Sequence, residues 1–166
     1  MDLAAEVVFV TPFLYASTYP PLQEETQMGA CDFDMCVGGK SVADAFRNAV
    51  DDALYWHGHA GYSGTIAEKD GYKEFVIPAG MTSEEFLDLI QRVESQTVHV
   101  VYGGDDDYAR RAKAEAKEAW DKLVKLMGEY EAHQLENAYN DKWGPAVCWA
   151  DPNAEGSYFF CGIASS

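Results

Sequence analysis

Hydrophobic and polar positions fall into a readable order from Ala30 onward. In Ala30–Val37, the residues Cys31, Phe33, Met35 and Val37 take one face, and Asp32, Asp34 and Cys36 take the other. That period of two predicts a half-covered strand. Gly38-Gly39-Lys40 then turns the chain, and Ser41 with Asp44 three residues on opens a helix. Its apolar stripe is Val42, Ala45, Phe46, Ala49, Val50, Ala53 and His57; Asp44, Arg47, Asn48, Asp51 and Asp52 form the wet face. Gly58 is placed to end it. Asp70-Gly71 lies between Tyr62–Lys69 and Tyr72–Ile77, a strong short hairpin signal, with Glu68 expected opposite Lys73. Pro78-Ala79-Gly80 breaks the pattern. Thr82-Ser83-Glu84-Glu85 reads as a capping box, followed by the stripe Phe86, Leu89, Ile90 and Val93 of a second helix.

The valine-rich run Thr97–Tyr102 predicts a strand containing His99, and after Gly103-Gly104 one long charged helix is expected over about 106–138. Its inward stripe is Trp120, Leu123, Met127, Tyr130 and Gln134 or Leu135, with a bend at Gly128. Pro145–Ala150 and Ser157–Ile163, joined by Asp151-Pro152-Asn153-Ala154-Glu155-Gly156, predict a C-terminal hairpin. Before Ala30, Val7–Val10 suggests a strand, and Thr11-Pro12 and Tyr19-Pro20-Pro21 interrupt it. The expected organisation is an N-terminal arm and loop at 1–28, then a single domain at 29–166. Its fold class is α+β, a mostly antiparallel sheet with helices packed on one face. The order over Ala30–Tyr102 is that of a split β-α-β unit.

Charge changes this picture most. The chain of 166 residues carries a net charge of −16. Residues 1–107 hold 19 acidic and 5 basic side chains; residues 108–166 hold 9 and 7. Such a surface repels nucleic acid and anionic membranes and attracts basic partners. The plain reading is solubility; the sharper one is a polyanion-like surface offered to a groove built to bind phosphates. No apolar run is long enough to span a bilayer, and Met1–Glu6 lacks the basic start of a secretory signal, so a cytosolic setting is expected. Cys31 and Cys36, five apart, face opposite sides of one strand. Cys148 and Cys161 fall on neighbouring strands of the C-terminal hairpin. Four reduced, buried thiols are expected, with no disulfide and no metal.

Candidate chemistry gathers in Trp56–Lys69. His57, His59, Tyr62, Ser63, Thr65 and Lys69 are its ligand-binding candidates. His57-x-His59 lacks a third metal ligand nearby in sequence. Gly58, Gly61 and Gly64 join a helix to an expected strand, whereas a phosphate cradle leads from a strand into a helix. They suit a tight turn and close approach to the sheet. A nucleophile at Ser63 or Thr65 with His59 as base would need Glu68 as orienter, and the expected hairpin points Glu68 away; no G-x-S-x-G elbow is present. Neither catalytic residues nor a cofactor is expected. Asp32 and Asp34 could bind a cation, but such pairs are usually a solvated edge. With Asp44, Asp51, Asp52, Glu84, Glu85 and Asp88 they are the candidate partner-binding carboxylates.

The series Ala45-Phe46, Ala49-Val50, Ala53, Gly58-His59 and Gly61-Tyr62-Ser63-Gly64-Thr65-Ile66-Ala67-Glu68-Lys69 resembles a group of small, uncharacterised proteins of tailed bacteriophages. Trp143-Gly144-Pro145-Ala146 and Phe159-Phe160-Cys161-Gly162-Ile163-Ala164-Ser165 fit the same resemblance, which covers about two-thirds of the chain and leaves out the first 28 residues. It implies provenance, a phage or prophage accessory gene acting in a bacterial cytoplasm, and no activity. Charge and resemblance together lead to an expected stoichiometric inhibitor of a bacterial nucleic-acid-handling defence protein, of anti-CRISPR or antirestriction type. It would bind that protein's basic surface and neither nucleic acid nor membrane. The alternatives are a nucleotide-signal sponge using 56–69, and a small enzyme of unknown reaction.

Overall fold

The computed structural model describes residues 29–102 and 107–166, without the side chains of 94–102. The expected arm at 1–28, the Gly103-Gly104 turn, Asp105-Asp106 and the His99 side chain lie outside the described residues. Among the described residues four strands make one sheet in the order β1-β4-β3-β2. β1 (Ala30–Gly38) runs antiparallel to β4 (Ser157–Ser165), from Ala30 opposite Ser165 to Gly38 opposite Ser157. β3 (Ala146–Ala150) is the other arm of the C-terminal hairpin, with Val147 opposite Cys161. The short β2 (Tyr72–Glu74) lies parallel to β3 at the far edge. The domain is α+β with a mostly antiparallel sheet.

Alternation along β3 and β4 feeds two cores. Val147, Trp149 and Cys161 point to one side, where Phe86, Leu89, Leu123, Leu135 and Tyr139 meet them. Ala146, Cys148, Phe160 and Ala164 point to the other, against Phe33, Ala45, Ala49, Ala53 and Ile66. Helix α1 (Val42–His57) covers this second side, and α2 (Ser83–Tyr102), α3 (Asp107–Met127) and α4 (Glu129–Asn140) cover the first. The expectation of helices on one face is therefore corrected. Ser157–Ile163 is apolar at nearly every position, and a strand of that kind needs cover on both sides.

Several local signals hold. Ser41 Oγ accepts a hydrogen bond from Asp44 N at 3.2 Å, and Gly58, at φ 80°, closes α1 through its N–H to Leu54 O. The capping box of α2 is complete: Thr82 Oγ1 accepts from Glu85 N and Glu85 Oε2 accepts from Thr82 N.

Other signals lose to packing. There is no hairpin at Asp70-Gly71: Ile66–Glu68 form a 3₁₀ turn capped by Thr65, and β2 pairs with β3 instead. In a strand Ile66 and Lys69 would face opposite ways. In a 3₁₀ turn residues three apart eclipse, which sends both inward, and both are buried. Glu68 and Lys73 consequently do not pair; Lys73 bonds to Gln134. Residues 97–102 are the end of α2, not a strand. Extending a capped helix adds one bond per residue, whereas a strand needs a new partner, and β-propensity is a weak prior against that. The split β-α-β order disappears with these two strands.

The long helix is two helices, because Gly128 sits at φ 89°, where its N–H ends α3 on Val124 O and its carbonyl starts α4 with Ala132 N. The break rotates Tyr130 out of the expected stripe and into solvent, while Ala132, Leu135 and Ala138 go in. His57 also leaves its expected stripe and is exposed.

Candidate functional site

The stretch 56–69 leaves α1, crosses an exposed glycine-rich loop and re-enters the core at Gly64. Gly64 N donates to Ser165 O at 2.8 Å, and a Cβ at Gly64 would stand 3.1 Å from that of Cys31. With φ at 67°, this is the close approach to the sheet that glycine permits.

Behind that anchor a small polar network fixes the loop. Glu68 Oε1 accepts hydrogen bonds from Ser63 N at 3.0 Å and Ser63 Oγ at 2.8 Å. Ser63 Oγ also lies 2.8 Å from Thr65 Oγ1, which accepts from Ala67 N. Burial raises the Glu68 carboxyl, but the bonds from Ser63 and Tyr62 outweigh it and hold the group below its ordinary value. Glu68 thus faces Ser63 rather than away from it, because the chain turns where a strand was expected. A carboxylate held ionised is a weak base toward a hydroxyl. His59 is exposed and makes no hydrogen bond among the described residues. The network is a folded turn.

Lys69 ties this turn to the other side of the molecule. It is 7% exposed, and its Nζ donates to Asp141 O at 2.6 Å, beyond the end of α4. Burial pulls its pKa below the ordinary lysine value, against the attraction of Asp141 and Asp70. Asp141 Oδ1 in turn accepts from Trp143 N and Gly144 N. Glu68 and Asp141 therefore set the backbones under two rings, Tyr62 and Trp143, which meet edge-to-face at 6.1 Å. Tyr62 is the one non-glycine among the described residues with positive φ, 56°. For a tyrosine that costs on the order of 1–3 kcal/mol.

Of the six ligand-binding candidates, Ser63, Thr65 and Lys69 are engaged internally, while His57, His59 and Tyr62 are exposed. Among the described residues no group of three or more His, Cys, Asp or Glu side chains is placed to hold a metal. Cys148 and Cys161 are buried on adjacent strands but enter opposite cores, and Cys31 and Cys36 are exposed, which corrects the expectation of four buried thiols. Burial raises Cys148 to about 12 and Cys161 further, so both stay protonated near neutrality.

The eight candidate carboxylates divide between two surfaces. Asp44, Asp51 and Asp52 lie on α1; Glu84, Glu85 and Asp88 lie on α2, across the sheet. Asp32 and Asp34 project on the α2 side, since they stand opposite Ile163 and Cys161, but β1 is the edge strand among the described residues and both are exposed. Burial raises the thiol of Cys36 on the same strand, and the charges of Asp151 and then Glu84 add to it. Asp44 pairs with Arg47 and Asp88 with Arg92, both at 3.0 Å, and Glu85 serves the capping box. The side chains of Asp51 and Asp52 have no ion pair or hydrogen bond among the described residues. A groove of about 520 Å³ between α2 and α3 mixes Glu85, Asp88, Glu115 and Glu118 with Arg92 and Lys122.

Exposed rings are the feature that sequence patterning passes over. Tyr55 is 78% and Trp56 77% exposed, edge-to-face at 5.1 Å. Their signal in the sequence was position, off the apolar stripe of α1; Trp143 had none. No family model, curated protein or solved structure matches the chain. No helix among the described residues is long and apolar enough to cross a membrane.

Proposed function

We propose that the protein is a phage or mobile-element accessory protein that acts stoichiometrically in the bacterial cytoplasm. It occupies the basic surface of a nucleic-acid-handling defence protein, in the manner of an anti-CRISPR or antirestriction inhibitor, and performs no catalysis. The observation that carries this reading is the arrangement of charge. Asp32, Asp34, Asp51, Asp52 and Glu84 are exposed, while half of the chain's lysines and arginines lie on α3. A surface so arranged offers carboxylates where a partner expects phosphates, and long-range attraction speeds encounter. The sponge alternative loses support because Ser63, Thr65 and Lys69 are consumed by internal bonds.

The test is charge reversal. Lysine at Asp32, Asp34, Asp51 and Asp52 together should abolish capture of the bacterial partner and leave the circular dichroism melt nearly unchanged, since exposed substitutions cost under about 0.5 kcal/mol each. Tight one-to-one uptake of a cyclic or linear nucleotide in calorimetry, unaffected by those reversals, would favour the sponge and defeat the proposal.

A further inference from the structure

Helix α1 presents an outer face that its packing does not use. Ala45, Ala49 and Ala53 bury the inner face against the sheet. On the outside, Asp51 and Tyr55 are four residues apart, as are Asp52 and Trp56, so each carboxylate shares a helical face with one ring. All four are exposed. Arg47, the helix's one arginine, is turned to Asp44. The two rings stand at the helix C-terminus, the negative end of its dipole. Exposed apolar residues scattered singly need no explanation, but a tryptophan and a tyrosine in mutual contact are the residue types that anchor interfaces.

We infer that this face of α1 is the docking anchor for an arginine-bearing segment of a protein partner. A guanidinium is planar, stacks on Trp or Tyr, and takes a carboxylate through paired N–H donors; two carboxylate–aromatic pairs side by side match two such side chains. Within this molecule Lys142 Nζ lies 5.4 Å from the centre of the Trp143 ring, so an exposed tryptophan here already attracts a cation, though as a point charge and without stacking. Lysine offers no plane to stack and no fork, so it binds this face less well. The inference rests on the reading of a basic partner and narrows it: of the two acidic surfaces, the one on α1 makes the contact, and rings as well as charge hold it.

The experiment titrates the full chain with hepta-arginine and hepta-lysine peptides, following the indole N–H resonances of Trp56, Trp120, Trp143 and Trp149, each assigned by substitution. The expected result is a saturable shift at Trp56, with hepta-arginine bound more tightly than hepta-lysine. Trp56→Ala and the pair Asp51→Asn with Asp52→Asn should each weaken hepta-arginine at least about tenfold. Tyr130→Ala removes an aromatic ring exposed on α4 and should change nothing. Binding that leaves Trp56 unmoved and is lost instead on Asp32→Asn with Asp34→Asn would overturn the inference while keeping the basic-partner reading. Equal affinity for the two peptides, unaffected by Trp56→Ala, would do the same. No binding of either peptide would overturn both.

Discussion

Glu68 and Lys69 are neighbours in sequence and send their charges to different parts of the fold. Glu68 closes the turn that holds Tyr62 and Ser63; Lys69 reaches across to the end of α4. Both types were visible in the sequence, yet their partners were not, because each partner is set by the 3₁₀ turn that Thr65 starts. The Glu68 carboxylate has a folded pKa below its unfolded one, so the stability it contributes is present above the unfolded value. That contribution disappears as pH falls through the folded value. Glu68→Gln keeps an acceptor oxygen and removes the charge, and should therefore cost about 1 kcal/mol at neutral pH. In urea denaturation at decreasing pH, the gap between wild type and variant should close in the acid range. A gap that stays constant down to the lowest pH would mean that the charge on Glu68 does not hold the turn.

At the scale of elements, the chain makes legible whatever its own neighbours decide. α1 comes from its cap and stripe, α2 starts where Thr82 and Glu85 bond reciprocally, and β3 and β4 come from two apolar runs about a turn. The signals that fail are decided at a distance. Asp70-Gly71 carries good turn chemistry, but Gly71 O accepts from Ala146 N, so the chain there is recruited by β3 rather than by its own predecessor. Thr97–Tyr102 looks like a strand only when the helix running into it is ignored. Gly128 lies between these cases, a visible glycine whose positive φ makes a break instead of a bend. Gly128→Ala should lower stability by about 1 kcal/mol, since alanine resists that backbone. Unchanged stability with a rise in helical circular dichroism would show that α3 and α4 can run as one helix.

At the scale of the whole molecule, two layers of helix leave a surface whose carboxylates lie on both sides of one sheet. The charge was legible in the composition; its division between α1 on one side and β1 with α2 on the other was not, because it depends on which face each helix covers. Nor was the retirement of Ser63, Thr65 and Lys69 from the candidate site, which the 3₁₀ turn brings about. Exposed acid remains as the proposed partner surface, with exposed rings beside it at Tyr55 and Trp56. The measurement that meets this most directly is competition. A bacterial partner captured by the protein would be titrated with it at rising salt, with and without the nucleic acid that partner handles. The expected result is one-to-one binding that weakens steeply with salt and excludes the nucleic acid. A salt-insensitive complex, or one that takes up nucleic acid alongside the protein, would contradict the account.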